Sequence, residues 1–510
     1  MFEQGGGWSQ EQVIAYFDEL AARCELRAPT TESAAWVQRA SAAVRAENRA
    51  AAAQLVAIGE LFAYRLSRCS ETEDWAIDTM EAVAAEVAAG LRISQGLAAS
   101  RLRYARAMRE QLPKTAAVFI NGDIDYRAFQ TIVYRTDLIT DREVLARVDE
   151  LVAANVTRWP SMTTARLSGR VDTLVARLDA DAVRRRTKKQ ADREVWIGGD
   201  LDGIARIEGS LFSTDAHALD QRLSALAATV CAHDPRTHAQ RRADALGALA
   251  AGADRLGCCC RRADCAAGGR PAASPVAIHL IAPPGDGPGW EVGTDGLITP
   301  ELLAELAQTA KMVPLVHPGD APPEDGYVPS KALADFVRCR DLTCRWPGCD
   351  VPAMRCDLDH TIPHAKGGPT HAANLKCYCR THHLVKTFWG WTEKQLPDGT
   401  LILTSPAGQT HVTTPGSALL FPSLCYAVGG MPAVETDASP APPCADRSAM
   451  MPKRRRTRAK DRAYRVATER AQNHAARTQA RQATAEAEAH ALRANPPPGY
   501  DPDPDAPPPF

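Results

Sequence analysis

Residues 32–66 read ESAAWVQRASAAVRAENRAAAAQLVAIGELFAYRL. The stretch is alanine-rich, free of proline, and carries Val, Leu and Ile at helical spacing, so it predicts one long helix. Working outward, residues 30–252 repeat this texture with few helix breakers. The expected fold class is therefore mainly α.

Within that region, AVAAEVAAGLRISQGLAASRLRYARAMREQL (82–112) is two helical runs meeting between Gly90 and Gly96, with Ser94 placed to cap the second. That shape permits a helix-turn-helix whose second helix carries Arg101, Arg103 and Arg106 toward a DNA groove. An ordinary helical hairpin with a solvated arginine face fits the same residues. REVWIGGDLDGIARIEGSL (193–211) breaks the helical pattern: Val195 and Ile197, then Ile204 and Ile207, flank a Gly/Asp turn and predict a β-hairpin. PVAIHLIAPP, around Ile278, predicts a further strand, and PGDAPPEDG (318–326) reads as a linker into a second domain.

The expected organisation is an N-terminal segment (1–29), a mainly helical domain with a small sheet (30–325), a small α+β module (326–425) and a low-complexity tail (426–510). The tail passes from Pro, Ala and Ser to KRRRTRAKDRAYR (from Lys453), then to an Ala/Gln/Arg segment that could form a lone helix, and ends in DPDPDAPPPF. It has little apolar surface to bury, so it is expected to be disordered or conditionally helical, with a basic run suited to nucleic acid or simply to solvent.

With 45% hydrophobic and 24% charged residues, the 510-residue chain has an ordinary soluble composition, and its formal charge of -1 hides the local basic and acidic runs. MFEQGGGWSQEQV lacks the basic start and apolar run of an export signal, and no apolar stretch is long enough to span a bilayer. A cytoplasmic protein without membrane contact is the expectation. The 15 cysteines cluster in two places, which suits reduced thiols and metal ligands better than disulfides.

One cluster surrounds CDLDHTIPHAKGG (356–368). CRWPGC before it supplies Cys344 and Cys349 on a Pro-Gly knuckle; NLKCYCRTHHLVK after it supplies Cys379 and His382. Two close pairs of N/S donors are what a structural Zn2+ ion needs. Cys339, Cys356 and Cys377 are read as packing residues. Asp359 and His360 are neighbours on a short strand and so face opposite ways, one able to hold a hard cation and the other to take a proton. His382 and His383 diverge by roughly a quarter turn of one helix, so one can face the zinc and the other a second metal.

The order Cys, Cys, Asp-His, Gly-Gly, Asn-Leu, Cys-x-x-His-His, Lys across residues 335–392 resembles the HNH nuclease family with its zinc-stapled ββα-metal core. His382 stands where many relatives have a second cysteine. The resemblance implies that His360 is a general base and that Asp359 and His383 bind Mg2+ or another divalent ion. It further implies that Asn374 orients His360 or joins the metal shell, and that Lys386 contacts a DNA backbone. RISQGLAASRLRYARAMREQLPKTAAVFINGDIDYRAF, DREVWIGGDLDGIARIEGSL and RRADALGALAAGADRLGCCCRRADC resemble proteins that pair domain of unknown function 222 with an HNH module. That resemblance brings no activity for the helical part.

The expected function is a metal-dependent endonuclease acting on DNA, most simply double-stranded, with the helical domain serving DNA or partner recognition. The alternatives are a non-cleaving, zinc-containing DNA-binding or assembly protein and a helical interaction scaffold. A homodimer is compatible with the sequence, though no heptad pattern requires one. The second cluster, Cys258, Cys259, Cys260 and Cys265, is a further possible zinc site with Cys231, His233 and His279 as candidate partners.

Overall fold

A computed structural model describes residues 9–23, 30–69, 72–159, 163–184, 193–201, 204–265, 267, 279–283, 285, 287–292, 296–307, 311–432 and 451–494. The chain forms two compact units, Met1–Gly59 with Tyr104–Val183, and Glu60–Arg103 with Arg184–Phe510. Segment 60–103 thus groups with the carboxy-terminal residues, a division that the linear order of the sequence does not announce. As expected, helix dominates and the sheets are small.

The first unit is helical. Helix Pro113–Ile120 begins with proline in its first turn, where no intrahelical N–H is lost. Leu112 offers its start no side-chain cap. Asp149, from helix Arg142–Asn155, takes that role across the core, accepting from Lys114 N (2.7 Å) and Thr115 N (2.8 Å). Phe119 and Phe129 stack at 5.3 Å, and Ile132, Val148, Val152, Val171 and Val175 complete the apolar interior. Gly122 has φ +86°, and a Cβ there would lie 2.6 Å from Arg45 O, so only glycine fits this turn.

In the second unit, helix Thr79–Leu91 is capped by Asp78 and ends with Arg92 in the left-handed region. Ser94 Oγ accepts from Leu97 N (3.3 Å) at the start of helix Gln95–Glu110, the cap the sequence predicts. On that helix Arg103 is exposed and Arg101 is half-buried; from Tyr104 on the helix belongs to the first unit, where Arg106 pairs with Glu110 (2.8 Å) and is already engaged within the helix. The expected hairpin forms as Glu194–Leu201 against Ile204–Ser210, antiparallel. A second antiparallel sheet joins Leu280–Ile281, Gly289–Glu291 and Gly296–Ile298; Ile278 itself lies outside the described residues.

Beyond helix Lys331–Asp341, strand Asp357–His360 pairs antiparallel with Leu375–Tyr378, and helix Arg380–Phe388 packs on both. A meander of Thr392–Gln395, Leu401–Thr404 and Thr410–Thr413 follows. One apolar core joins these elements, with Trp75, Phe336, Trp346, Leu375, Val385 and Trp389 among its members.

The Ala/Gln/Arg segment of the tail lies in a helix, Arg458–Ala494, as its sequence allows; residues 433–450 and 495–510 lie outside the described residues. Two expectations change. The basic run is docked: Ala76 N donates to Pro452 O (2.7 Å), and Arg454 donates to Trp75 O and Ala76 O (both 2.7 Å). Arg458 pairs with Asp78 (2.6 Å) and Glu81, and Lys453 with Asp74 (2.7 Å). Guanidinium groups on carbonyls and on an acidic helix start need no apolar face, which is why composition alone missed the attachment. The stretch 318–326 is also not a free linker. Glu324 N donates to Thr370 O (2.9 Å), and Thr370 Oγ1 donates to Gly326 O (2.6 Å).

Asp149→Ala should destabilise the first unit by about 2–4 kcal/mol in denaturant unfolding, because a buried N–H, that of Thr115, and a part-buried one, that of Lys114, lose their acceptor. Asp149→Asn, which keeps one acceptor oxygen, should cost less; equal stability of Asp149→Ala and the parent protein would refute the capping role.

Candidate metal and active centre

The Pro-Gly knuckle sets the first half of the centre. Gly348 has φ +77° and a Cβ there would meet Ile93 O at 2.6 Å, so the turn admits no side chain. Cys344 and Cys349 leave from either end of it. Cys379 is the residue before helix Arg380–Phe388, and His382 lies within its first turn. The ligand atoms of Cys344, Cys349, Cys379 and His382 all lie within 4.8 Å of one another. His382 Nδ1 is 3.3 Å from Cys379 Sγ and 3.5 Å from Cys344 Sγ. A tetrahedral zinc with Zn–S of about 2.3 Å and Zn–N of about 2.0 Å spaces its donors by roughly 3.5–3.8 Å, so the set is compatible with a structural zinc.

Electrostatics agree with a cation-holding role. Burial pushes the Cys344 thiol up, and neighbouring Cys344 and Cys379 push Cys349 up. The Cys344 and Cys349 side chains, helped by His382, hold Cys379 far below the usual thiol range. Crowded thiols can all ionise only when a cation replaces their protons. The His382 ring lies flat on Trp346, with centroids 4.7 Å apart, which fixes its plane. Cys339, Cys356 and Cys377 stand outside the group of four, as expected, and Cys377 is wholly buried.

The hairpin carries the second half. Asp357 and Asp359 share one strand face because side chains alternate, and His383 enters between them. Asp357 Oδ2 is 2.9 Å from His383 Nδ1, and Asp359 Oδ1 is 3.3 Å from His383 Nε2. Burial opposes protonation of His383, but the Asp359 and Asp357 carboxylates prevail and raise it. Asp359 itself is buried, which favours its neutral form, yet Lys376, His383 and Lys386 hold it well below the usual carboxylate range.

The Asp359 carboxylate belongs to a larger charge cluster. Its Oδ2 accepts from Lys376 Nζ (2.8 Å) and Lys386 Nζ (2.9 Å), and Glu393 Oε1 accepts from the same two ammonium groups at 2.6 and 3.1 Å. Lys376 faces Asp359 across the hairpin register. Lys386 follows His383 by three residues, so both share one helix face. Its ammonium also donates to His360 O (2.8 Å), so the expectation of a DNA-backbone lysine gives way to an internal one. Burial lowers Lys386, and Glu393 with Asp359 raises it by more.

His360 points to the other strand face. Thr370 Oγ1 gives its proton to Gly326 O and therefore accepts from His360 Nε2 (3.0 Å), which leaves Nδ1 as the unprotonated nitrogen. Burial pulls the ring down to about 4 against the attraction of Asp359, so it is neutral near pH 7. Tyr327 stacks on it, with ring centroids 5.2 Å apart, and His360 is 4% exposed.

Asn374 has a different task from either expected one. Its Nδ2 donates to Ile362 O (3.1 Å) and Pro369 O (2.8 Å), and its Oδ1 accepts from Ile362 N (2.8 Å). It clamps the loop between the strands, and its two N–H donors are both spent on loop carbonyls. Sequence reasoning also missed Asp357, Lys376 and Glu393. The i, i+2 spacing of Asp357 with Asp359 was a signal for the first; Lys376 and Glu393 become partners only through strand register and folding.

Fold and site together define a mainly helical protein whose carboxy-terminal unit carries a hairpin-helix module with a four-donor cluster able to hold a metal ion. The family model described as Domain of unknown function (DUF222) matches residues 42–341, and the chain belongs to that family. An uncharacterised protein of Mycobacterium tuberculosis is 42% identical over 84% of this chain and 88% of its own length. A second uncharacterised protein of that species is 40% identical over 91% of this chain and 92% of its own length. No solved structure matches the chain. No described helix is long and apolar enough to cross a membrane.

Cys344→Ser should lower the metal content by the one ion this cluster can hold and lower the melting temperature, read by metal analysis and calorimetry, while Cys339→Ser leaves the metal content unchanged. Lys376→Met should cost about 3–5 kcal/mol in denaturant unfolding because it leaves buried carboxylates short of a counter-charge.

Proposed function

We propose that the protein is a metal-dependent endonuclease of the HNH kind, hydrolysing DNA phosphodiester bonds, with Zn2+ as the structural ion of Cys344, Cys349, Cys379 and His382. The observation that carries this reading is the clamped pair Asp359 and His383, set beside a neutral His360 on the adjacent strand position. Asp359 Oδ1 and His383 Nε2, 3.3 Å apart, suit two neighbouring donors of an octahedral ion such as Mg2+, whose cis ligands are about 3 Å apart. Asp357 on the far nitrogen of His383 fixes the ring and its tautomer, the usual support for a metal-bound imidazole.

When bound, the divalent ion supplies Lewis-acid stabilisation of charge on the phosphate and the leaving oxygen. His360 Nδ1 takes a proton from water as the water oxygen forms its bond to phosphorus. The P–O3′ bond breaks, the 3′-oxygen is protonated by solvent, and the phosphate stays on the 5′ end. Thr370 keeps the His360 ring in the tautomer that can do this, and Asn374 holds the loop that starts two residues later.

The second reading, a non-cleaving DNA-binding or assembly module, has one observation behind it: His360 lies under Tyr327 and is nearly inaccessible. The two readings separate in one assay. Supercoiled plasmid is incubated with purified protein in Mg2+, Mn2+ or EDTA beside His360→Ala. The nuclease reading expects metal-dependent nicking that falls by at least about 100-fold in the variant, in line with loss of a general base, with zinc content and DNA retention unchanged. Absence of nicking in either metal, with zinc bound and DNA retained, supports the non-cleaving reading instead.

A further inference from the structure

Four more cysteines converge in the second unit, away from the hairpin-helix module. The sulfur atoms of Cys231, Cys258, Cys260 and Cys265 all lie within 4.8 Å of one another, with Cys231 and Cys258 at 3.5 Å. The fourth member is Cys231, not Cys259. Cys259 is exposed, and His233 and His279 contribute no ligand atom to the group.

The loop backbone is folded to bring these sulfurs together: Cys258 N donates to Ala267 O (3.2 Å) and Cys265 N donates to Arg262 O (3.3 Å). Arg261, directly after Cys260, has φ +56°, a left-handed turn that an arginine adopts only when its surroundings hold it there.

A polar brace ties the two cysteine-bearing segments together. The Asp234 side chain is fully buried and accepts from Arg236 Nη2 (2.7 Å) and Cys259 N (2.9 Å). Arg236 Nη2 donates onward to Gly257 O (2.7 Å). Apolar support nearby is thin. Leu223, Leu226 and Ala245 form one small cluster and Ala248, Ala253 and Leu256 another. A region with so little core needs a covalent or metal staple to hold one arrangement.

We propose that Cys231, Cys258, Cys260 and Cys265 bind one Zn2+ ion as a closed tetrathiolate site, which fastens the turn after helix Ser213–Ala227 to the 256–267 loop. The sulfur spacing fits a single ion with Zn–S of about 2.3 Å. A polynuclear iron–sulfur cluster would place bridging sulfides among its ligands and hold the cysteines farther apart. All four positions are filled by protein, so the ion is structural and activates no water. This site is independent of the nuclease reading.

The test counts metal on the full-length protein purified under reducing conditions. The parent protein should carry two zinc ions per chain, falling to one in Cys258→Ser/Cys265→Ser and remaining two in Cys259→Ser. Cys344→Ser/Cys379→Ser should also carry one, and that ion, exchanged for Co2+, should give the intense thiolate-to-cobalt absorption of a four-sulfur tetrahedral site. Cys265→His, a ligand zinc accepts, should restore the second ion where serine loses it. A parent with one zinc, lost in Cys344→Ser/Cys379→Ser, overturns the proposal, as does iron at this position or a Cys231–Cys258 disulfide found by mass mapping. Because the cobalt spectrum is read with all four cysteines of this site intact, poor folding of the serine variants does not rescue the idea.

Discussion

Everything in the hairpin-helix module depends on how the first turn of helix Arg380–Phe388 is anchored. Cys379 is the cap residue of that helix, its N–H donates to Cys344 Sγ (3.3 Å), and its own sulfur joins the four-donor cluster. His382 adds a second tie within the same turn. The rotation of the helix is thereby fixed before any charge is considered. The next residue, His383, then faces the hairpin, and Lys386 follows it one turn later. An error of one residue at Cys379 would carry both out of reach of Asp359.

The polar centre beneath that helix is costly to build. Lys376 is fully buried, and Asp359, Glu393 and Lys386 are nearly so. Taking four charged groups out of water costs several kcal/mol each, which pairing offsets only when every partner is in place. Asp341 performs comparable work on the other side of the hairpin: it accepts from Arg340 (2.8 Å), Arg345 (3.1 Å) and Cys377 N (2.8 Å), so a buried carboxylate positions the second strand as well. Such networks give weak net stability but allow few alternative arrangements, and placing a small set of side chains within tenths of an ångström requires that restriction.

How much of this was legible in the sequence follows from the range of each interaction. Helix periodicity, the Ser94 cap, the 193–211 hairpin and the Cys344, Cys349, Cys379, His382 set are written in spacings of a few residues, and each appears in the structure. The docking of Arg454 and Arg458 on residues 74–81 spans more than half the chain and has no local pattern. Lys376 looked like an ordinary strand residue until register set it opposite Asp359. Asn374 was assigned a role through a resemblance, and its own hydrogen bonds give it another. The grouping of 60–103 with the carboxy-terminal residues is tertiary throughout.

On the endonuclease reading, the cluster also sets the charge a substrate must bring. Asp357, Asp359 and Glu393 carry three negative charges against three from Lys376, Lys386 and Arg380, the last paired with Asp357 at 3.3 Å, so the centre is balanced with His383 neutral. A proton on His383 brings it to plus one, a charge that the Asp359 and Asp357 carboxylates favour at that imidazole. Replacing that proton with a divalent ion makes the centre positive by two, which attracts a phosphodiester. The two lysines are then matched to the substrate without touching it: they hold the Asp359 Oδ2 and leave Oδ1 facing His383. Remove either lysine and the same centre, with ion bound, keeps half of that positive charge, and its attraction for a phosphodiester is weakened even though every ligand remains.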